Sequence, residues 1–209
     1  YGQWQGEVWE KSASGTLVPM FVKVNRVASD NEKDEFDMVL TLSDLSNVKE
    51  MERLEHLAHH DALTGLANRA QLYKVMDDVV TSSHYSNQHF AVIYLDLDGF
   101  KEVNDSYGHD AGDEILKEVS NRLLSQVRAG DLVARLSGDE FVLIIKQTNK
   151  TLLAKLAERL LGLIEQEVTY KQRSLHVGAS LGIHLVDGAE RDLDRVLKLA
   201  DEAMYQAKH

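Results

Sequence analysis

Apolar and polar residues alternate over much of the first 45 residues, a pattern typical of strands with one buried face. Three alternating segments, residues 4–10, 17–27 and 36–45, are separated by polar breaks such as "SASG". They predict an antiparallel meander. Because a small sheet of this kind needs another layer to pack against, we expect the chain to begin inside a domain.

The apolar spacing changes to steps of three and four over residues 46–60, which predicts an amphipathic helix with its N-cap at Ser46 or Asn47. Two interpretations of this helix are equally consistent with the pattern. The helix either packs against its own domain or forms a short dimeric coiled coil. Its apolar stripe consists of Val48, Met51, Leu54 and Leu57 or Ala58.

Helices and strands alternate after residue 61. The pattern predicts helices at about 67–80, 111–128, 151–167 and 193–208, and strands at 89–98, 132–136, 141–145 and 174–186. With a short helix after residue 98, the order from Ala91 is β-α-β-β-α-β-α. This order predicts an α+β fold in which helices cover one face of a mostly antiparallel sheet.

Composition narrows the classes of function. The 209 residues are 44% hydrophobic and 27% charged, as in a soluble globular protein of one or two domains. A net charge of −11 argues against a nucleic-acid partner, which needs clustered Lys and Arg, but allows a nucleotide held through a metal ion. The absence of cysteine excludes disulfides and thiolate ligands. Without a membrane-span or signal-peptide pattern, we expect a cytoplasmic protein with no membrane contact.

The first candidate chemistry lies where the strand over residues 89–98 ends. Asp96 and Asp98 are two residues apart, so their side chains point to the same face, where they can share a hard cation. Taken alone, such a pair is more often a solvated turn. Further polar residues follow at high density, and an amide with a carboxylate can match the edge of guanine. These residues are Lys101, Asn104, His109 and Asp113.

The second candidate is the stretch "ARLSGDEFVLII", in which two apolar runs flank a tight Ser-Gly-Asp-Glu step. A tight hairpin with exposed acids would explain this stretch alone. If its strands neighbour the strand that ends at Asp96, then Asp96, Asp139 and Glu140 meet at one rim of the sheet. They would then hold one or two Mg²⁺ ions, or Mn²⁺, and through them a triphosphate. Gly138 leaves room there for the nucleotide.

Several segments resemble, in order, the signature motifs of GGDEF-domain diguanylate cyclases. They are "DALTGLANR", "DLDGFKEVNDSYGHDAGD", "RLSGDEF", "ASLGI" and "ADEAMYQAK", which lie between residues 61 and 208. The resemblance implies a palm-like or nucleotidyl-cyclase-like fold with a ferredoxin-like core. It also implies an enzyme that condenses two GTP molecules into cyclic di-GMP and releases pyrophosphate. Because each subunit would carry one GTP, the resemblance implies a homodimer.

The resemblance also assigns roles to matching residues. Mg²⁺ would be bound by Asp96, the carbonyl of Leu97 and Asp139, with Glu140 as a second acidic contributor. Asp139, Glu140 and Lys101 would be the catalytic residues. The implied substrate-binding residues are Asn104 and Asp113 for guanine, Lys101 and Lys208 for phosphate, Phe100 and Gly138 lining the pocket, and His109 nearby.

One position departs from the family motif, since Ser137 replaces its first glycine. If the backbone there has positive φ, serine costs about 1 kcal/mol of strain; otherwise the cost is small. The departure leaves an alternative function open. The chain would then be a catalytically silent module that binds GTP or cyclic di-GMP and regulates a partner.

The segment "RAGD", residues 128–131, has two interpretations. Arg128 would lie in the last turn of a helix that Gly130 caps. In the second interpretation the segment resembles the family's inhibitory product site, because it precedes the Ser-Gly-Asp-Glu step by five residues. That resemblance implies feedback inhibition. Arg128 would pair with phosphate and guanine acceptors of cyclic di-GMP, and Asp131 would accept from guanine N–H groups.

The N-terminal segment resembles the last three strands of a PAS sensor domain followed by the junction to a GGDEF domain. Asp44 lies where such domains carry an aspartate before the exit helix. The implied organisation is a PAS-like fragment over residues 1–45, a signalling helix over 46–60 and a GGDEF domain over 61–209. The resemblance does not identify the signal.

Overall fold

The computed structural model describes residues 2–28, 36–86, 89–186 and 190–208. The chain forms two compact units, Tyr1–Leu57 and Ala58–His209. The strands are β1 (Gln3–Lys11), β2 (Leu17–Ala28), β3 (Phe36–Asp44), β4 (Phe90–Asp98), β5 (Leu132–Ser137), β6 (Glu140–Lys146), β7 (Val168–Tyr170), β8 (Arg173–Leu175) and β9 (Gly178–Val186). The helices are α1 (Ser46–His59), α2 (Arg69–Ser86), α3 (Phe100–Tyr107), α4 (His109–Gln126), α5 (Lys150–Ile164) and α6 (Leu193–Lys208).

The first unit contains the antiparallel meander that the alternating pattern predicts, with strand order β1-β2-β3. The sheet buries little apolar surface, since Trp4 is 52% and Leu40 54% exposed. At the start of α1 the side-chain acceptor is Asp44, whose Oδ1 accepts from the backbone N–H of Ser46 at 2.7 Å. The expected N-cap at Ser46 or Asn47 is wrong, because α1 begins at Ser46 and both residues therefore lie within the helix.

Helix α1 buries none of its residues. The apolar residues of its stripe all remain between 45% and 71% exposed: Val48, Met51, Leu54 and Leu57. Within the described residues of the first unit, nothing buries this stripe. No helix among the described residues is both long and apolar enough to cross a membrane.

The second unit is built on a four-stranded antiparallel sheet with the order β5-β6-β4-β9. Helices cover both of its faces: α3, α4 and α5 share one hydrophobic core with the sheet, and α2 and α6 share the other. The expectation of one covered face is wrong. The cause is visible in the central strand β4, where every residue from Phe90 to Leu95 is buried, so both faces of the strand are apolar.

Several elements differ in their bounds from the pattern-based expectation, most clearly α4 and the strand after residue 173. Helix α4 begins at His109 and ends at Gln126, with an extended C-cap at Val127 (φ −98°). The strand expected over residues 174–186 is in fact the two strands β8 and β9, and β8 forms a small hairpin with β7. The turn of that hairpin contains Lys171 and Gln172 at positive φ, a conformation that neither residue type signals.

Close packing of α6 on β9 depends on Gly182. A Cβ atom at this position would lie 2.1 Å from both the carbonyl oxygen of Ala200 and the backbone nitrogen of Met204. Because glycine allows this approach, α6 packs directly on the sheet, and its last residue, Lys208, reaches the end of β4, where it contacts Asp96.

Candidate active site

Acidic side chains meet where the central strand β4 leaves the sheet. β4 pairs with β6 so that Asp96 lies directly opposite Glu140. The backbone N–H of Leu97 donates to the carbonyl oxygen of Asp139 at 3.3 Å, which brings the β5–β6 turn beside the end of β4. Asp96, Asp139 and Glu140 therefore share one rim of the sheet.

A lysine supplies positive charge at this rim. The Nζ atom of Lys208 donates to Asp96 Oδ1 and lies 3.6 Å from Asp98 Oδ1. Its hydrogen bond with Asp96 raises the pKa of Lys208. Asp98 also accepts from Ser180 Oγ at 2.9 Å. Sequence reasoning assigned no role to Ser180, which is 8% exposed and lies opposite Asp96 on β9.

The electrostatics of the rim favour a cation. Burial, followed by the negative charge of Asp96, raises the pKa of Asp139 above its ordinary value. Among the described residues, no three His, Cys, Asp or Glu side chains are grouped so that they could hold a metal ion by themselves. The oxygen donors nevertheless fit Mg²⁺, which is usually bound by one or two carboxylates together with waters and substrate phosphates. Lys208 already places one positive charge beside Asp96 and Asp98.

The β5–β6 turn depends on one glycine. Gly138 has φ +48°, in the left-handed region. The backbone at Ser137 does not have positive φ. The strain considered for serine at this position is therefore absent. Ser137 is exposed, and its Oγ donates to Glu140 Oε2 at 2.7 Å.

A half-buried arginine ties the turn to the start of the second unit. Arg135 donates through Nε and Nη2 to the carbonyl oxygen of Gly138 at 3.0 and 2.8 Å, and through Nη1 to Asp61 Oδ1 at 2.9 Å. Burial by itself raises the pKa of Asp61, but hydrogen bonds from Thr64 and Arg135 outweigh it and lower that pKa. Asp61 and Arg135 both lie in segments that resemble the family motifs. They are 74 residues apart, however, and the sequence does not indicate that they pair.

The residues implied in guanine recognition lie on α3 and α4. A Cβ atom on Gly112 would lie 2.1 Å from Asn104 Oδ1, so glycine makes room for that amide. Asn104 and Asp113 are half-buried. Phe100 is 9% exposed and belongs to the hydrophobic core.

The other two implied substrate contacts, Lys101 in α3 and His109 at the start of α4, are exposed. Their side chains are accessible from solvent at the helix surface. The structure describes no hydrogen bond or ion pair that joins either side chain to Asp96, Asp139 or Glu140.

The segment 128–131 forms a separate turn outside α4. The N–H of Asp131 donates to the carbonyl oxygen of Arg128 at 3.0 Å, and Gly130 has φ +102°. The interpretation of Arg128 in the last helical turn with Gly130 as C-cap is wrong, because α4 ends earlier at Gln126. The carboxylate of Asp131 accepts from the backbone N–H groups of Arg128 at 3.0 Å and Lys146 at 2.9 Å.

A cavity of about 140 Å³ opens beside this turn, between α4, β6 and α5. Its wall carries one acid, Asp131, and several cations. The cations are Arg128, Lys146, Lys155 and Arg159. The excess of positive charge suits an anionic ligand.

Comparison with known proteins extends this description. The family model described as "Diguanylate cyclase, GGDEF domain" matches residues 58–209. The bifunctional diguanylate cyclase/cyclic di-GMP phosphodiesterase MucR of Pseudomonas aeruginosa is 43% identical over 155 residues, which are 74% of this chain and 23% of MucR. The cyclic di-GMP phosphodiesterase PdeR of Escherichia coli is 33% identical over 203 residues, which are 97% of this chain and 30% of PdeR.

A solved structure matches in three dimensions as well. A sensory box/GGDEF family protein from Caulobacter crescentus is 39% identical and superposes with a TM-score of 0.68, covering 72% of this chain and 97% of that one. The chain spans less than a third of the length of both curated relatives described above.

Proposed function

Because the chain belongs to the GGDEF family of diguanylate cyclase domains, we propose that it is a Mg²⁺-dependent diguanylate cyclase that condenses two GTP molecules into cyclic di-GMP and releases pyrophosphate. The observation that carries this proposal is the acidic rim. Asp96 lies opposite Glu140, and Asp139 lies beside the end of β4. This arrangement suits nucleotide phosphates held through a divalent cation.

Different residues of the rim would bind the metal ion and the phosphates. Asp96, the carbonyl of Leu97 and Asp139 would hold Mg²⁺, with Glu140 contributing a further carboxylate. When bound, the ion supplies charge neutralisation at the reacting phosphate. Lys208 exchanges its contacts with Asp96 and Asp98 for phosphate oxygens as the nucleotide enters.

The remaining residues orient the nucleotide. The amide of Asn104 and the carboxylate of Asp113 would read guanine, because together they donate to and accept from its edge. Lys101 would contact phosphate from the surface of α3. Each copy of the chain would orient one GTP in this way, so the ribose 3′-hydroxyl of one nucleotide attacks the α-phosphate of the other only when two copies face each other. Activity therefore requires a homodimer.

An assay of product formation tests the proposal. Purified protein incubated with GTP and Mg²⁺ should form cyclic di-GMP, and Asp139→Asn should reduce the rate at least a hundredfold, as expected when a charge that binds the reacting phosphates is lost. Asp105→Asn, at an exposed position of α3, is the matched control and should retain the rate. Equal rates for wild type and Asp139→Asn would refute catalysis at this rim.

A second candidate function is a catalytically silent module that binds GTP or cyclic di-GMP. One observation favours it: Lys208 already neutralises Asp96. In this case wild type and Asp139→Asn would both bind GTP and neither would form product. PdeR, which matches nearly the whole chain, is named for a phosphodiesterase activity.

Feedback by the product is the regulatory part of the proposal. The cationic cavity beside Arg128 supports it, because guanidinium and ammonium groups bind phosphates strongly. Calorimetry with cyclic di-GMP should show binding that Arg128→Ala reduces at least tenfold while GTP binding survives. Arg195→Ala, at a 67% exposed arginine of α6, serves as the control. Equal product affinity in wild type and Arg128→Ala would refute this site.

The N-terminal unit is part of the same proposal. Residues 1–45 would be the C-terminal part of a PAS-like sensor domain, residues 46–60 a signalling helix and residues 61–209 the catalytic domain. The alignment with PdeR supports a shared arrangement, since it covers 97% of the chain and so includes much of the N-terminal sheet.

A further inference from the structure

Ser137 does more than replace a glycine. We propose that Ser137 is a positioning residue that holds the carboxylate of Glu140 ready for a divalent cation and its nucleotide. The proposal rests on the proposed function of the acidic rim and assigns a role to a position at which this chain departs from the motif that it resembles.

The backbone leaves position 137 available for a side chain. The left-handed conformation of the turn falls on Gly138 (φ +48°), and Ser137 is not among the residues with positive φ. Ser137 ends β5, and in the register of the hairpin it lies opposite Glu140, just after an irregularity that follows Arg135. The two side chains are therefore neighbours across the strand pair.

The contact between them is a short, charge-assisted hydrogen bond. Ser137 Oγ donates to Glu140 Oε2 at 2.7 Å, and a hydroxyl donating to a carboxylate is one of the stronger hydrogen bonds in proteins. A carboxylate has about four lone-pair positions, so this bond leaves acceptor capacity for a cation. Glycine or alanine at position 137 supplies no donor.

Glu140 has a second neighbour, on β4. Tyr94 is 8% exposed and lies two residues before Asp96, on the same face of β4. Because Asp96 lies opposite Glu140, Tyr94 is a diagonal neighbour of Glu140 across the strand pair.

Positioning has a measurable consequence for binding. A glutamate without these partners samples several rotamers, and ordering it on cation binding costs free energy. With Ser137 present, part of that ordering already exists in the empty site. Removing the hydroxyl should therefore weaken binding of the metal–nucleotide pair, not only the rate of reaction.

The test compares Ser137→Ala and Ser137→Gly with Ser137→Thr, which keeps the hydroxyl. The readout is the calorimetric affinity for a non-hydrolysable GTP analogue in the presence of Mn²⁺, measured alongside thermal unfolding to confirm folding. We expect Ser137→Ala and Ser137→Gly to bind about fivefold to tenfold more weakly, the scale of the net contribution of one ordinary hydrogen bond. Ser137→Thr should bind like wild type.

A double-mutant cycle separates positioning from general damage. If Ser137 acts through Glu140, then Ser137→Ala should have no further effect in a Glu140→Gln background. An undiminished effect in that background, or Ser137→Gly binding as tightly as wild type, would overturn the proposal. Because affinity is measured without turnover, either result stands whether or not the chain is catalytic. Failure of wild type to bind the analogue would instead refute the proposed function.

Discussion

At the scale of single residues, Lys208 offsets the negative charge of the acidic rim. Its ammonium group lies against Asp96 and near Asp98, and the hydrogen bond to Asp96 raises the pKa of Lys208. Removing the ammonium group of Lys208 leaves the carboxylates to repel each other. We expect Lys208→Gln to unfold at a lower temperature without Mg²⁺ and to gain more from added Mg²⁺ than wild type does, because a ligand that binds the folded state stabilises it.

Scanning calorimetry with and without Mg²⁺ measures this effect. Lys198→Gln, at a lysine of the same helix that is 73% exposed, is the control and should respond to Mg²⁺ as wild type does. An equal Mg²⁺ response in Lys208→Gln would show that the lysine does not compete with the cation for these carboxylates.

The acids of the site are predictable from the sequence, and their partners are not. Asp96 and Asp139 follow from an acid-ended apolar strand and a tight Gly-Asp-Glu step. The contact of Lys208 with Asp96 spans 112 residues, and it depends on how closely α6 packs at Gly182. The bond from Ser137 to Glu140 depends on hairpin register, which a single sequence does not fix.

At the scale of elements, Arg135 joins the β5–β6 hairpin to the segment that begins the second unit. Asp61→Asn should remove the charged partner of Arg135 and lower the free energy of unfolding by about 2 kcal/mol, the scale of a hydrogen bond to a charged group. Because the pKa of Asp61 lies below its ordinary value of 3.8, its stabilisation is present above that pH and is lost as pH falls through the folded-state pKa.

Urea unfolding across a pH series checks both points. The difference between wild type and Asp61→Asn should be constant near neutral pH and shrink below about pH 4. Asp77→Asn, at an exposed carboxylate of α2, should show no such difference. A wild-type-like Asp61→Asn at neutral pH would mean that the ion pair does not hold the hairpin.

The longer elements follow from hydrophobic periodicity, and the shorter ones do not. The continuous apolar run of β4 identifies a buried strand, although its burial on two faces is clear only from the structure. The β7–β8 hairpin is invisible in the sequence because Lys171 and Gln172 occupy positive φ without glycine or asparagine. The apolar alternation over residues 174–186 therefore predicts one long strand, where the structure has β8 and β9.

At the scale of the whole molecule, two copies must meet for the proposed reaction. The exposed stripe of α1 is the candidate contact, since Leu54 is 54% and Leu57 45% exposed. Replacing both with Asp should weaken dimerisation at least tenfold, because it places charges in an apolar helix–helix contact, and should lower turnover in parallel. Analytical ultracentrifugation and the product assay measure the two effects.

A polar substitution on the same helix, Glu55→Gln, is the control and should leave both association and turnover unchanged. Loss of turnover without loss of association would show that α1 sets the orientation of the catalytic domains and not their pairing. Unchanged association and turnover in the Leu54 and Leu57 variant would assign the stripe to packing within a larger sensor domain.

The product stoichiometry tests the central claim most directly. Condensation of two GTP molecules releases two pyrophosphates for each cyclic di-GMP, whereas simple hydrolysis of GTP would release inorganic phosphate instead. Both products can be quantified in one reaction of wild type with GTP and Mg²⁺, next to Asp139→Asn. The account predicts a ratio of two pyrophosphates per cyclic dinucleotide, and at least a hundredfold less of either product from the variant in the same time. Inorganic phosphate in place of pyrophosphate, or no cyclic dinucleotide above the level of Asp139→Asn, would contradict it.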